Sequence, residues 1–197
     1  MVDKILRELE KEGYCYIPRL LGDEQLVAIN SFFDSKKSQF EAARIGSLDN
    51  KRRLTSIRGD FTYWLDPLVP KEPFLELFNF LEELKEKLNQ RFFLGLQDFE
   101  CHLAFYPPGT FYKKHLDRFE KDGSRKLSFI FYLNKEWDPA DGGELVMYDQ
   151  EDKEVETFFS LPGSFVCFLS DEYPHEVRAA KKERRSLTGW IHNKIIY

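Results

Sequence analysis

The sequence predicts an α+β domain in which helices come first and antiparallel sheets follow. Apolar residues recur at helical spacing in three stretches before residue 95, whereas short β-branched and aromatic runs succeed one another from Asp98 onward. This order favours a sandwich or barrel of strands with helical support. The 197 residues suit a single domain, with 1–95 mainly helical and 96–197 forming the sheet core.

The first half is predicted to hold three helices and one short strand. Apolar residues in the range 2–9 form a helical stripe that Gly13 ends, and the apolar run 14–17 is predicted as a strand. Asp23 is expected to cap the second helix. Pro73 is expected in the first turn of the third helix, where proline is tolerated.

Residues 41–60 show no clear period and mix charges with glycine and serine, so they are predicted to form a long surface loop or hairpin, a kind of segment that is often functional. The later strands are predicted from the runs FECHLAFY, KLSFIFYLN, GELVMYD, SFVCFLS and SLTGWIH.

Composition limits the possible functions. The formal net charge of -5 argues against general binding to nucleic acid, which favours a basic groove. Cys15, Cys101 and Cys167 are odd in number and far apart, which is typical of buried thiols in a reducing compartment. We find neither the apolar run of a secretory signal nor that of a membrane span, and therefore expect a cytoplasmic protein with no membrane partner.

Three residues are candidates for a metal site. His115 and Asp117 lie two apart in KKHLDRF, so an extended backbone would point both side chains to one face. His175, after the apolar run SFVCFLS, is the candidate third ligand. Two imidazoles and one carboxylate are typical of non-haem iron(II) oxygenases, which leave positions open for oxygen. Zinc is the competing assignment, because it accepts the same ligands.

Each candidate also has an ordinary interpretation. His115 and Asp117 alone are typical of a hydrogen-bonded surface pair, and Arg184 alone is typical of a solvated charge within KKERR. Arg184, however, begins the strand nine residues beyond His175. If it points into a barrel, it requires a partner, and a bidentate carboxylate on a small substrate would provide one.

The motifs IRGDFTYW, YPPGTFYKKHLDRF, FIFYLNKEWDPADGGEL, YPHEV and RRSLTGW occur here in one order. In this the sequence resembles the prolyl 4-hydroxylase branch of the iron(II) and 2-oxoglutarate-dependent dioxygenases, particularly the hypoxia-inducible-factor prolyl hydroxylases and their bacterial relatives. The resemblance runs from about residue 54 to residue 190. It implies a double-stranded β-helix, a jelly-roll barrel supported by the N-terminal helices.

The resemblance also implies roles for residues. His115, Asp117 and His175 match the iron(II) ligands, and Arg184 matches the arginine that binds the distal carboxylate of 2-oxoglutarate. The remaining cosubstrate residues implied are Tyr132, which shares that carboxylate, Tyr106, which lines the pocket, and Thr188, on the strand of the arginine. The implied cofactors are iron(II), 2-oxoglutarate and O2, and ascorbate is compatible with them.

The resemblance further implies a substrate region. The segment 41–60 matches a mobile loop that folds over a protein substrate, and Arg58 and Asp60 are expected to pair and set its closed form. Arg125, near the mouth, is expected to touch substrate, and Trp190 to wall the pocket. YPPGTFY replaces the glycine-richer turn of the animal enzymes, which leaves the target proline open.

Three hypotheses follow. The first is 4-hydroxylation of a prolyl residue in a flexible loop of a protein, with release of succinate and CO2; elongation factor Tu is a candidate target if the protein is bacterial. The second keeps the cofactors but takes a small molecule, a free amino acid or an alkylated base. The third is a non-catalytic module that senses metal or oxygen. The complete set of ligand positions argues against the third.

Overall fold

The computed structural model describes residues 1–43, 56–69, 72–117 and 123–195, and within them three helices lie against two antiparallel sheets. The helices are α1 (Val2–Glu12), α2 (Asp23–Lys36) and α3 (Leu75–Phe92). The strands are β1 (Tyr14–Ile17), β2 (Glu41–Ala42), β3 (Phe61–Leu65), β4 (Asp98–Tyr106), β5 (Tyr112–His115), β6 (Arg125–Tyr132), β7 (Leu145–Tyr148), β8 (Glu154–Phe158), β9 (Phe165–Leu169), β10 (His175–Val177) and β11 (Arg184–His192). No helix in these ranges is long and apolar enough to cross a bilayer.

The helices lie where the apolar stripes predicted them, but two details at their ends were wrong. Helix α1 ends at Glu12 and is capped by Gly13, whose φ of 72° suits glycine. Asp23 does not cap α2: Gly22 occupies the N-cap position, and Asp23 lies in the first turn, where its charge favours the helix N-terminus. Pro73 lies before α3 and not in its first turn, because Phe74 is the N-cap residue.

The larger sheet has seven strands in the order β1-β9-β6-β11-β4-β3-β2. Strand β11 pairs along its whole length with β4 on one side and, from Ser186 to His192, with β6 on the other. The smaller sheet has four strands in the order β5-β10-β7-β8. Strands β3, β8 and β10 were not predicted from the sequence. Strand β8 has no apolar run, because it contains two glutamates and one threonine.

The predicted segment 41–60 is described only at its two ends. Glu41 and Ala42 pair antiparallel with Thr62 and Phe61, which gives the base of a hairpin. Residues 44–55, the middle of the predicted substrate loop, lie outside the described residues.

Alternate residues of the larger sheet face opposite ways, and this decides what each face does. One face packs on the three helices and is apolar; its buried members include Leu103, Phe129 and Leu187. The other face is turned towards the smaller sheet and carries the polar side chains. All three cysteines are buried and free, as expected.

Candidate active site

The smaller sheet brings His115 and His175 together. The two residues are directly opposite each other in the pairing of β5 with β10, and their ring centroids are 4.4 Å apart. Asp117 follows β5 by two residues and joins them: its Oδ1 is 3.5 Å from Nε2 of His115, and its Oδ2 is 3.5 Å from Nε2 of His175. Within the described ranges, this is the one group of three or more histidine, cysteine, aspartate or glutamate residues that could hold a metal ion. All of its ligand atoms lie within 4.8 Å of one another.

Backbone carbonyls orient both histidines for metal binding. Nδ1 of His115 lies 2.7 Å from the carbonyl oxygen of Lys113, and Nδ1 of His175 lies 3.0 Å from that of Tyr173. Because a carbonyl oxygen only accepts, each Nδ1 must donate its proton, which leaves Nε2 with a free lone pair in the neutral ring. Burial lowers the pKa of His175 to about 4 despite the opposing charge of Asp117, so this ring is neutral at pH 7.

Asp117 supplies the negative charge of the site. Burial by itself would raise the pKa of Asp117, but the adjacent His175 and His115 lower it well below its usual range, and the carboxylate is therefore ionised. The hydroxyl of Ser128 on β6 donates to Oδ2 of Asp117 at 2.7 Å and so fixes the carboxylate from the larger sheet. Such a support for a ligand is common in metal centres.

Arg184 is fully buried at the start of β11 and faces the smaller sheet. Its Nε donates to the carbonyl of Gly143 at 3.0 Å and to the hydroxyl of Ser160 at 2.8 Å. In the described part of the chain, no carboxylate lies within ion-pair distance of this guanidinium. A buried cation without an anion is costly, so the site fits an anionic ligand, and the fork of an arginine suits a carboxylate.

Two tyrosines complete this end of the site. The rings of Tyr106 and Tyr132 lie 5.2 Å and 5.0 Å from Cζ of Arg184. The Tyr132 hydroxyl is fully buried, and no group of the described residues bonds to it. Burial raises the pKa of both phenols, so each remains a hydrogen-bond donor. Thr188 lies further along the same face of β11, with its hydroxyl 3.2 Å from that of Ser186.

The end of the predicted substrate loop is fixed beside the metal ligands. Arg58 donates to both carboxylate oxygens of Asp60, at 2.7 Å and 2.5 Å, so the expected pair is present. The Arg58 guanidinium also lies 4.3 Å from the ring centroid of Tyr112, and Tyr112 stacks on His115 with centroids 3.6 Å apart. Arg58 therefore lies two aromatic rings from the metal position, counting His115 itself.

Arg125 and Trp190 form the other end of the site. The guanidinium of Arg125 lies 3.6 Å from the ring centroid of Trp190 and donates to Glu100 at 2.6 Å. Another of its nitrogens is 3.4 Å from the carbonyl oxygen of Asp117. Arg125 is thus held by a carboxylate of the protein as it borders the site; the contact with substrate expected of it stays a prediction.

Several residues that hold the predicted site residues in place were not predicted from the sequence. Ser128, Ser160 and Glu100 support Asp117, Arg184 and Arg125 respectively. Ser128 carried a weak signal, because it is a polar residue within the apolar run KLSFIFYLN. Ser160 and Glu100 carried none, since their partners are 24 and 25 residues away along the chain.

Comparison with known proteins agrees with this geometry. The family model of the 2OG-Fe(II) oxygenase superfamily matches residues 101–192, which contain His115, Asp117, His175 and Arg184. A crystal structure of a Pseudomonas putida prolyl-4-hydroxylase is similar over 99% of this chain and 100% of its own, with 36% identity and a TM-score of 0.87. The architecture is therefore a double-stranded β-helix, as the sequence predicted.

Two relatives with lower sequence identity are also named as prolyl hydroxylases. A Trichoplax adhaerens prolyl hydroxylase in complex with a hypoxia inducible factor peptide fragment has 26% identity and a TM-score of 0.78, covering 98% of this chain and 89% of its own. The hypoxia-inducible factor prolyl hydroxylase of Caenorhabditis elegans is 26% identical over 98% of this chain, but the chain spans 28% of that protein's length.

Proposed function

This chain belongs to the prolyl hydroxylases of the 2OG-Fe(II) oxygenase superfamily, and on that premise we propose that it hydroxylates a prolyl residue of a protein and converts 2-oxoglutarate to succinate and CO2. The observation that carries the proposal is a two-histidine, one-aspartate group on the smaller sheet together with, on the larger sheet, a buried arginine that has no carboxylate partner among the described residues. The first feature fits iron(II), and the second fits the far carboxylate of 2-oxoglutarate.

We assign iron binding to residues of the smaller sheet and its margin, and binding of the cosubstrate carboxylate to residues of the larger sheet. His115, Asp117 and His175 would hold the iron, while Arg184 and Tyr132 would bind the distal carboxylate of the cosubstrate, with Tyr106 against its chain. When bound, iron(II), 2-oxoglutarate and O2 supply the oxidation that inserts one oxygen atom into a substrate C–H bond. The resemblance to hydroxylases fits the presence of Asp117, because relatives that halogenate carry a small residue at this position.

The surrounding side chains keep water from this chemistry. The face opposite the helices is lined by a second buried apolar cluster, to which both sheets contribute Tyr132, Phe168, Met147 and Val177 among others. A dry environment strengthens the interaction of Arg184 with a carboxylate. We propose that Arg58 and Asp60 shape the mouth on the loop side, and that Arg125 and Trp190 border the path of the substrate chain.

A lysate experiment tests reaction and target together. The protein is loaded with iron(II) and incubated with 2-oxoglutarate and an extract of its source cells. We expect succinate together with a gain of about 16 Da on a proline of a cellular protein, the mass of one oxygen. Elongation factor Tu is the first protein to inspect, and ascorbate is tested as an addition. The target protein and the effect of ascorbate both stay predictions.

Substitutions at the metal site provide the control. His115→Ala and Asp117→Ala should abolish iron binding, measured by metal analysis, and with it succinate formation. Asp34→Asn, at an exposed ion pair on α2, is the matched change that should leave both intact. Succinate without any modified proline would favour the small-molecule alternative. Stoichiometric zinc retained from the cell, with no turnover on iron, would contradict the proposal.

A further inference from the structure

The side chain of Arg184 is held by two groups that belong to the margin of the smaller sheet. The Gly143 carbonyl precedes β7 by two residues and the Ser160 hydroxyl follows β8 by two. Both accept from Nε of Arg184, at 3.0 Å and 2.8 Å, and the Ser160 hydroxyl in turn donates to the Gly143 carbonyl at 2.9 Å. The Gly143 carbonyl and the Ser160 hydroxyl form what we call the Nε clamp.

The Nε clamp decides which edge of the guanidinium a ligand can use. Nε carries a single N–H group, and the two terminal nitrogens carry the others. A carboxylate can bind a guanidinium across Nε and one terminal nitrogen, or end-on across both terminal nitrogens. Because the clamp occupies the N–H of Nε, a carboxylate meets Arg184 end-on.

Gly143 approaches Arg184 more closely than a residue with a side chain could. A β-carbon on Gly143 would lie 3.1 Å from Cδ of Arg184. It would also lie 3.1 Å from Cζ2 of Trp137 and 3.0 Å from Cβ of Ala180. The φ of Gly143 is 70°, a conformation that residues with a side chain disfavour. The clamp therefore requires glycine at this position.

Ser160 also holds the backbone from which Arg184 extends. Nδ2 of Asn134 donates to the Ser160 carbonyl at 2.7 Å, and Oδ1 of Asn134 accepts from the N–H of Arg185 at 2.7 Å. Both Asn134 and Ser160 are buried. Ser160 thus fixes Arg184 at two points, at Nε through its hydroxyl and at the adjoining backbone through Asn134.

The strand that follows the clamp also pairs with a metal ligand. Strand β7 begins two residues after Gly143, and Met147 of β7 is directly opposite His175. The smaller sheet therefore positions both the metal group and the Nε of Arg184, although Arg184 belongs to the larger sheet. A ligand that is bound at both places must match their separation in length.

We propose that Gly143 and Ser160 are positioning residues for the cosubstrate, which fix the reach of Arg184 and thereby select a 2-oxo diacid with the chain length of 2-oxoglutarate. This inference rests on the proposed function. A diacid that is longer by one methylene fits only if Arg184 withdraws, and the Nε clamp opposes this movement.

Binding of two diacids tests the proposal without turnover. The Kd values of 2-oxoglutarate and 2-oxoadipate, which is longer by one methylene, are measured by calorimetry on the iron(II)-loaded protein under argon. The wild type should prefer 2-oxoglutarate roughly tenfold or more, the usual effect of one methylene in a fitted site. Ser160→Ala should raise the Kd of 2-oxoglutarate roughly fivefold and reduce the preference to about twofold, because Arg184 loses a hydrogen bond and can withdraw.

Two further variants change the clamp in other ways. Ser160→Cys keeps the approximate size of the side chain but offers only a weak acceptor, so it should reproduce both effects of Ser160→Ala. Gly143→Ala places a methyl group against Cδ of Arg184 and should weaken binding of 2-oxoglutarate roughly tenfold. Unchanged affinity in Gly143→Ala would remove Gly143 from the proposal.

Ser164 provides the matched control. It is a buried serine whose hydroxyl donates to the carbonyl of Leu161 at 2.7 Å, so Ser164→Ala also removes a hydrogen bond that the fold has made. Ser164→Ala should lower the free energy of unfolding, measured in urea, but leave both Kd values unchanged. Equal changes of Kd in Ser160→Ala and Ser164→Ala would show a general structural effect and overturn the positioning role.

The outcomes separate the two proposals. If the wild type binds 2-oxoglutarate, but Ser160→Ala and Ser160→Cys keep its affinity and its preference, the positioning role is wrong and the proposed function stands. If the wild type does not bind 2-oxoglutarate at all, the proposed function fails, and the positioning role fails with it.

Discussion

At the scale of single residues, the site is recognisable by what the fold leaves unsatisfied. In the described ranges, the hydrogen bonds from the Arg184 guanidinium to protein oxygens run from Nε, and the Tyr132 hydroxyl beside Arg184 has no well-formed hydrogen bond. Neither arrangement helps the protein to fold, because buried polar groups are stabilising only when paired. A ligand that pairs both of them explains why they are there.

Removing the Tyr132 hydroxyl should therefore have opposite effects on stability and binding. We expect Tyr132→Phe to raise the free energy of unfolding of the ligand-free protein by about 1 kcal/mol, since an unpaired buried hydroxyl is lost. The same variant should raise the KM for 2-oxoglutarate roughly tenfold. Urea unfolding and succinate formation measure the two effects.

Tyr148 provides the matched control. Tyr148 is a buried residue whose hydroxyl donates to Glu176 at 2.8 Å in a part-buried hydrogen bond, so Tyr148→Phe breaks a bond that the fold has made and should lower the free energy of unfolding. If both phenylalanine variants shift stability in the same direction, the hydroxyl of Tyr132 is not the unsatisfied group that we describe.

The types of the site residues were predictable from the sequence, but their hydrogen-bond partners and contacts were not. HxD, a later histidine and a distal arginine are visible in the sequence, and the structure brings the two histidines and the aspartate together, with the arginine on the facing sheet. That Nδ1 of each ligand histidine faces a carbonyl oxygen depends on the local course of β5 and β10, which no residue type encodes. The ring contact of His102 with Trp190 had no signal in the sequence, because only the pairing of β4 with β11 brings the two side chains together.

At the scale of elements, the segment before β3 is joined to β5 beside the metal ligands. Gly59 donates its N–H to the carbonyl of Phe111 at 3.0 Å, and Lys113 donates to that of Ile57 at 2.9 Å. The Arg58–Asp60 pair reinforces this joint, with side chains only 14% and 1% exposed. The contacts that stabilise this joint therefore also hold the segment before β3 in place beside the metal ligands.

Breaking that pair should be costly. Asp60→Asn leaves a buried arginine without its anion, and we expect a loss of about 3 kcal/mol in the free energy of unfolding. The exposed pair of Glu10 with Arg91 is the control, where Glu10→Gln should cost less than about 1 kcal/mol. Urea unfolding compares them; equal losses would show that Asp60 contributes no more than a surface charge.

Helices were predicted better than strands, for a physical reason. The stripe of α3 repeats over five turns and buries Leu77, Leu81 and Leu88, so its period is unmistakable. Strand β8 is short and mostly polar, and it is a strand only because β7 pairs with it. The ends of α2 and α3 were wrong because a capping residue is chosen by the local backbone and not by its type alone.

At the scale of the whole molecule, a buried ionic network supports the site from behind. Glu100 on β4 accepts from Arg125 at 2.6 Å and lies 3.1 Å from Nε2 of His192. Burial opposes the charge of Glu100, but the hydrogen bond with His192 and the charge of Arg125 prevail and lower its pKa to about 2. The network ties β4, β6 and β11 together.

This shift predicts how acid affects folding. A carboxylate with a lowered folded pKa stabilises the protein above its ordinary pKa of about 4.5, and this contribution is lost as the pH falls towards 2. The difference corresponds to about 3 kcal/mol. We expect Glu100→Gln to be less stable than the wild type at pH 7 and to approach it near pH 2 in urea unfolding.

The exposed Glu151 gives the comparison for that experiment. Glu151→Gln should change the free energy of unfolding by no more than about 0.5 kcal/mol over the same pH range. A wild-type advantage over Glu100→Gln that stays constant from pH 7 to pH 2 would contradict the assigned pKa.

The division of the site between two sheets has a consequence for how the protein fails. Both histidines and Asp117 belong to the smaller sheet and its margin, whereas Arg184, Tyr132 and Ser128 belong to the larger one. A molecule whose sheets have come apart can keep every strand and still have no working centre. On heating, turnover should accordingly be lost at a lower temperature than the far-ultraviolet circular dichroism signal. Activity is then a more sensitive probe of sheet separation than secondary structure is.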